Sequence, residues 1–214
     1  MSQRTADEPE GLGGDVRTAA AAPIDLRAAW AANSLKVRPG LALAHCLARL
    51  LPHDMFNRRR AAIYRWAGVR VGRGVQILGP LSLLGWGDIV RLLEIGDEAA
   101  VSTPCTISLC APVRIGPRVS LGMDVMILSG THTVGQARKR CAAYSFQPVE
   151  IGEGTWVGAR ALIMPGVTIG PGCVIGAGAI VTRSVPANSM VAGNPARVIA
   201  KLDEAAGQPG AAPA

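Results

Sequence analysis

The apolar positions of this chain recur every six residues over most of its length. They run Val71, Ile77, Leu83, Ile89, Ile95, Val101 and Ile107, and resume after a two-residue slip at Ile115, Leu121 and Ile127. After about 16 further residues they resume at Ile151, Val157, Ile163, Ile169, Ile175 and Val181. Four places after the aliphatic residue stands something small or branched: Ala99, Cys105, Val119, Val125, Thr155, Ala161, Val167, Cys173 and Ala179. A strand alternates sides with a period of two, so this small residue and the next aliphatic share a face. Glycine often follows the aliphatic residue, as at Gly96, Gly152, Gly170 and Gly176, and permits a sharp turn. Each six-residue unit therefore predicts one short side of a coil. Three sides close a triangular prism, filled by aliphatics with small residues at its corners, and the stacked coils form an all-β solenoid. The pattern does not fix the hand of the winding.

Ahead of the repeats the period is helical, over residues 24–68. Leu41, Ala44, Leu47 and Leu51 fall on one face; Pro52 breaks the run, and Asp54 is a candidate cap for a second helix carrying Met55, Ile63 and Trp66. Residues 1–23 and 202–214 lack periodicity and read as disordered tails. The repeat domain spans 69–201, with one extended loop at 132–148.

Composition agrees with a narrow repetitive core: there are 26 glycines, and aromatics make up only 4% of the chain. The net charge is +7, and it is concentrated, with nine Lys or Arg against the single acid Asp54 between Lys36 and Arg73. Such a segment is a solvated helical face, a site for an anionic substrate, or a membrane-facing surface. No nucleic-acid motif accompanies it, which argues against a nucleic-acid partner. The five cysteines (Cys46, Cys105, Cys110, Cys141 and Cys173) are odd in number and form no C-x-x-C, so neither a disulfide framework nor a zinc site is expected. Reduced thiols, with no leader-like or membrane-spanning stretch, point to the cytoplasm. Cys105 and Cys173 sit at inward small positions, where packing is their expected role.

The chemistry centres on His132, in Ser129-Gly130-Thr131-His132. Counted from Ile127, Thr131 takes the inward small position, and His132, one further on, points out of the prism at the start of the loop. An outward histidine at an excursion from a rigid scaffold is a candidate general base. The other two histidines, His45 and His53, lie in the helical segment, so a three-histidine zinc cage of the carbonic anhydrase kind is not expected.

Residues 70–201 resemble the hexapeptide-repeat acyltransferase family. The most specific stretches are Ile151-Gly-Glu-Gly-Thr-Trp156-Val-Gly-Ala, Met164-Pro165-Gly166, Val181-Thr182-Arg183 and Gly193-Asn194-Pro195-Ala196-Arg197. They are similar to the maltose- and nodulation-type sugar O-acetyltransferases and to colanic-acid-type exopolysaccharide acetyltransferases, as is Tyr144-Ser145-Phe146. The resemblance implies a left-handed parallel β-helix and a homotrimer, with the base in a cleft between subunits. It implies acetyl-CoA as acyl donor, no metal, and a sugar or polysaccharide-precursor hydroxyl, small or lipid-linked, as acceptor. By resemblance the acceptor meets Ser102 and Tyr144, and CoA meets Trp156, Ala159, Ala177, Thr182, Arg183 and Arg197. Two positions depart from the maltose-type pattern: Ser102 stands where that family has Asn, and Ala142 stands where it has a Glu that orients the histidine. Serine O-acetyltransferases and antibiotic acetyltransferases share parts of the pattern, and a trimeric scaffold without catalysis would also display the repeats.

Overall fold

The computed structural model describes residues 39–85 and 87–203. The expected tail 1–23, the start of the helical segment and the end of the 202–214 tail lie outside the described residues. The described chain is a left-handed parallel β-helix of about six coils, headed by two helices.

Three parallel sheets form the faces of the prism. The first holds β1 (Arg70–Val71), β4 (Leu93–Ile95), β7 (Val113–Ile115), β12 (Val149–Ile151) and β15 (Thr168–Ile169). The second holds β2 (Gln76–Ile77), β5 (Ala100–Val101), β8 (Ser120–Leu121), β13 (Trp156–Val157), β16 (Val174–Ile175) and β18 (Ser189–Ala192), closed by the antiparallel β19 (Arg197–Lys201). The third holds β3 (Ser82–Gly85), β6 (Cys105–Leu109), β9 (Val125–Leu128), β14 (Leu162–Ile163) and β17 (Ile180–Val181).

Register turns the six-residue repeat into ladders. Val71, Ile95, Ile115, Ile151 and Ile169 stack inside the first face, each beside the next. All are buried, as are the small inward residues Ala99, Cys105, Val119, Val125, Ala161, Val167, Cys173 and Ala179. Burial pushes the Cys105 thiol up to about 11, so it stays protonated at neutral pH and packs as a small apolar group. The corners need glycine because successive coils nearly touch. A Cβ on Gly152 would lie 2.4 Å from the Pro171 nitrogen.

Outside the first face, in-register neighbours alternate in charge: Arg70, Glu94, Arg114 and Glu150 lie side by side. Arg70–Glu94 and Arg114–Glu150 form ion pairs. The corresponding row of the third face begins with Ser82 and Thr106 and then turns apolar, with Met126, Leu162 and Ile180 side by side. The second face likewise presents Trp156, Val174 and Met190.

Several expectations are corrected. Ile89 has the phase of the repeat but belongs to a short helix, α3 (Ile89–Leu92), in which Val90 is the buried residue. The coil closes from Leu83 to Ile95 across an insertion that happens to be one repeat long. Asp54 caps nothing: its φ is 59°, and the second helix, α2 (Asn57–Trp66), begins three residues later. Met55 and Trp66 are exposed, and α2 instead buries Arg60, Ala61 and Tyr64. The first helix, α1 (Pro39–Leu50), buries Leu41, Ala44 and Ala48, leaving Leu47 outside.

Arg60 is the reason for this arrangement. It is fully buried, and its guanidinium donates to five backbone carbonyls: Ala48 (3.3 Å), Leu51 (3.0 Å), Pro52 (2.9 Å), Met55 (3.3 Å) and Ile77 (2.8 Å). The side chain thus ties the end of α1, the α1–α2 turn and the first coil to one point. It was expected among the surface cations and is not one of them.

Candidate active site on the inserted hairpin

The excursion from the prism is a β-hairpin rather than an irregular loop. β10 (Gly130–Val134) pairs antiparallel with β11 (Cys141–Phe146), with His132 opposite Tyr144. It leaves the prism two residues earlier than expected. The alternation of β9 carries on past Ile127, so Ser129 takes the inward place and is fully buried, whereas Thr131 is exposed. Ser129 fastens the base of the hairpin. Its hydroxyl donates to the Ser108 carbonyl (2.6 Å) and accepts from the Cys110 and Ala111 amides (2.9 Å each). The Gln147 N–H returns to the Ser129 carbonyl at 3.0 Å, so the excursion begins and ends at one place.

His132 is half-buried, and its ring packs on that of Tyr144 with centroids 4.1 Å apart; Tyr144 in turn stacks on Phe146 at 5.7 Å. Its Nδ1 lies 3.1 Å from the backbone carbonyl of Ala142. A carbonyl oxygen only accepts, so Nδ1 is the donor, and in the neutral ring Nε2 is the nitrogen that keeps its lone pair. The position without the expected glutamate therefore still orients the histidine, through the main chain.

A cavity of about 290 Å³ opens beside the ring, lined by Leu84 and Gly85 of the first coil, Ser108 and Cys110 of the second, Gly130, Thr131 and His132 of the third, and Tyr144. It runs along the corner between the third and first faces. Sequence reasoning singled out His132 and Tyr144, which line it, and missed Leu84, Ser108 and Cys110, as well as the part Ser129 plays beneath the hairpin. Only the serine at an inward place, interrupting the aliphatics, marked the hairpin's root.

Of the other expected site residues, Ser102, Ala159 and Ala177 lie on a different corner, between the second and third faces. Ser102 follows β5, and its amide bonds to the Leu121 carbonyl at 2.9 Å. Ala159 and Ala177 follow β13 and β16, and the Gly178 amide donates to the Ala159 carbonyl at 2.8 Å. The Gly193–Ala196 turn stacks next: the Ile180 amide donates to the Gly193 carbonyl at 3.0 Å, and the Ala196 amide to the Ile180 carbonyl at 2.8 Å. Arg197 is exposed just beyond this turn, and Trp156 is exposed on the adjoining face. Thr182 and Arg183 are exposed past the end of β17, on the corner between the third and first faces but two coils beyond the hairpin. Within one chain, none of these residues lines the His132 cavity. Among the described residues, no three or more His, Cys, Asp and Glu side chains gather as metal ligands.

Residues 148–183 match the bacterial transferase hexapeptide (six repeats) family. Nodulation protein L of Rhizobium leguminosarum bv. viciae is 37% identical over 143 residues, covering 63% of this chain and 72% of that one. The chain belongs to the hexapeptide-repeat acetyltransferase family. The solved maltose O-acetyltransferase of Clostridium difficile 630 superposes with a TM-score of 0.66 at 29% identity, covering 78% of this chain and 87% of that one. A galactoside acetyltransferase solved in complex with coenzyme A gives 0.63 at 26% identity, covering 79% and 86%. Several curated relatives are matched over less of their length: the chain spans 50–58% of four of them.

Proposed function

We propose that this protein is an O-acetyltransferase that moves the acetyl group of acetyl-CoA to a hydroxyl of a sugar or polysaccharide precursor, with His132 as general base. The observation that carries the reading is the Nδ1 contact with the Ala142 carbonyl, which leaves Nε2 basic beside the cavity. The maltose O-acetyltransferase and the galactoside acetyltransferase among its structural neighbours, the latter solved with coenzyme A, support the donor and the acceptor class.

Nε2 takes the proton as the acceptor oxygen attacks the thioester carbonyl and the new C–O bond forms. When the tetrahedral oxyanion collapses, the C–S bond breaks and the imidazolium returns the proton to the CoA sulfur. The products are the ester and free thiol. No acyl-enzyme is needed. The test is thiol release from acetyl-CoA across a panel of sugars and serine. Release with a sugar supports the reading; no release with any acceptor and no CoA binding returns the protein to the scaffold class. The five thiols, all unpaired, favour a reducing compartment such as the cytoplasm for this reaction.

The two corners make sense together in a homotrimer. The donor residues of one subunit would then complete the His132 cavity of its neighbour across the third face. The apolar row Met126, Leu162 and Ile180 on that face supports this, because the first face carries ion pairs in the same place. Leu162→Glu with Ile180→Glu is expected to shift the light-scattering mass from about three subunits to one and to abolish turnover. A wild type that is monomeric at working concentration and still active refutes the shared site.

Contact with an anionic membrane is the further reading of the helical segment. Leu43, Leu47, Leu50, Met55 and Phe56 are exposed beside Arg49, Arg58 and Arg59, with the Arg59 guanidinium 5.4 Å from the Phe56 ring centre. Buried Arg60 takes no part. Replacing Arg58 and Arg59 by Gln is expected to weaken cosedimentation with phosphatidylserine vesicles about tenfold or more. Unchanged cosedimentation rules the contact out. No helix among the described residues is long and apolar enough to cross a membrane.

A further inference from the structure

The hairpin that presents His132 ends in three consecutive cations, Arg138, Lys139 and Arg140, all exposed. No Asp or Glu occurs between Gly130 and Phe146. Six arginines elsewhere, Arg70, Arg73, Arg91, Arg114, Arg118 and Arg160, each pair with a carboxylate. The three tip cations pair with no carboxylate among the described residues.

The turn that holds them is closed. The Gly135 amide donates to the Arg140 carbonyl at 2.8 Å, and the Lys139 amide to the Gln136 carbonyl at 2.9 Å. The Arg140 guanidinium donates back to the Gly135 carbonyl at 3.2 Å. A Cβ on Gly135 would sit 2.5 Å from the Lys139 carbonyl oxygen and 2.9 Å from the Ala142 Cβ, so the turn admits only glycine there without shifting. Three like charges on a fixed turn repel one another and gain when an anion joins them. Two are arginines, whose planar fork matches the oxygens of a phosphate.

Because the hairpin doubles back, with His132 opposite Tyr144 and Gly135 bonded to Arg140, the tip stands three to about five residues along the strand from His132, on the order of 10–17 Å at about 3.3 Å per residue, less the reach of long side chains. A bare sugar ring at Nε2 gives that tip no anion to bind. A sugar extended by a phosphate or pyrophosphate ester can approach it.

We propose that the acceptor carries a phosphate or pyrophosphate ester, and that Arg138, Lys139 and Arg140 bind it while the acceptor hydroxyl sits at His132. The proposal rests on the transferase reading above and narrows its acceptor. The ester could belong to a nucleotide-activated sugar or to a lipid-linked one, and the recognition chemistry is the same for both.

The test is calorimetric titration of the full chain, wild type against the Arg138→Gln/Lys139→Gln/Arg140→Gln variant. The ligands are N-acetylglucosamine, its 1-phosphate, its UDP ester and its farnesyl diphosphate ester. Wild type is expected to bind the phosphorylated forms about ten- to a hundredfold more tightly than the neutral sugar, and the triple variant to bring that ratio close to one. Raising the salt from about 50 to about 500 mM compresses the wild-type ratio in the same way. Gly135→Ala, which keeps all three charges but opens the turn, lowers the ratio in part. Preference for the farnesyl form over the UDP form identifies a lipid-linked acceptor, and the reverse preference a nucleotide sugar. Equal binding of neutral and phosphorylated ligands overturns the proposal, as does a ratio that survives the triple variant. If acetyl-CoA affinity falls instead, the tip serves the donor's phosphates and the proposal is wrong. Because titration reads binding, its outcome stands apart from turnover. Absent thiol release with tip-dependent binding intact would sink the transferase reading alone.

Discussion

His132→Ala is expected to lower acceptor-dependent thiol release by about a hundred- to ten-thousandfold, with little change in the KM for acetyl-CoA. On the proposed mechanism the loss falls on kcat, because Nε2 would act only as the acceptor proton moves. His132→Asn separates the two things the ring does. An Asn amide can still donate toward the Ala142 carbonyl, 3.1 Å from Nδ1 in the native hairpin, but it cannot take a proton. It should be as inactive as the alanine variant, whereas added imidazole should restore part of the alanine variant's rate. Activity of either variant within about tenfold of wild type removes His132 from the chemistry. A large loss in Ala with recovery in Asn would reduce the histidine to a prop for the hairpin.

Arg60→Met is expected to destabilise the protein by about 3–5 kcal/mol, the largest effect of any single change outside the cavity. The substitution nearly conserves volume and removes every N–H that meets the carbonyls of Ala48, Leu51, Pro52, Met55 and Ile77. A buried carbonyl left without a donor costs about 1–3 kcal/mol, and the partial exposure of the α1–α2 turn lets water recover some of that. Arg60→Lys should recover little, since an ammonium has three donors and no fork to spread across five acceptors. Chemical denaturation measures the loss, and hydrogen exchange should show α1 and α2 opening ahead of the coils. A change below about 1 kcal/mol would mean that the apolar contacts of Ala44, Ala48 and Tyr64 hold the helices unaided.

The prism was legible because its rule is local. A residue such as Ile163 or Ala179 faces inward by its place in a six-residue unit, and one coil's rule is the next coil's rule. What escaped were the places where the chain obeys a distant partner. Ile89 kept the phase of the repeat and lost its role to Val90, because a helical turn of insertion length leaves periodicity untouched. Arg60 read as a surface charge because nothing in its neighbours announces five carbonyls drawn from three elements. The candidate site divides in the same way. His132 and Tyr144 stood out by type and by likeness, but the orienting group opposite Nδ1 is a main-chain oxygen, which no side-chain pattern encodes. Ser102 and the two alanines at the second corner were found by likeness alone. Their separation from His132 within one chain follows from which face each strand joins.

The hairpin departs at Ser129 and returns at Gln147 through a single hydrogen bond, while Val113 and Val149 pair on either side of the gap as if nothing had intervened. The coils therefore do not register how long the excursion is or what it carries. A change of target, whether by drift or by grafting another hairpin onto the same root, leaves the aliphatic ladders unaltered. On the proposed reading the hairpin's share of the cavity, Thr131, His132 and Tyr144, can vary without touching the ladders, whereas the share of Leu84, Gly85, Ser108 and Cys110 is bound to the coils.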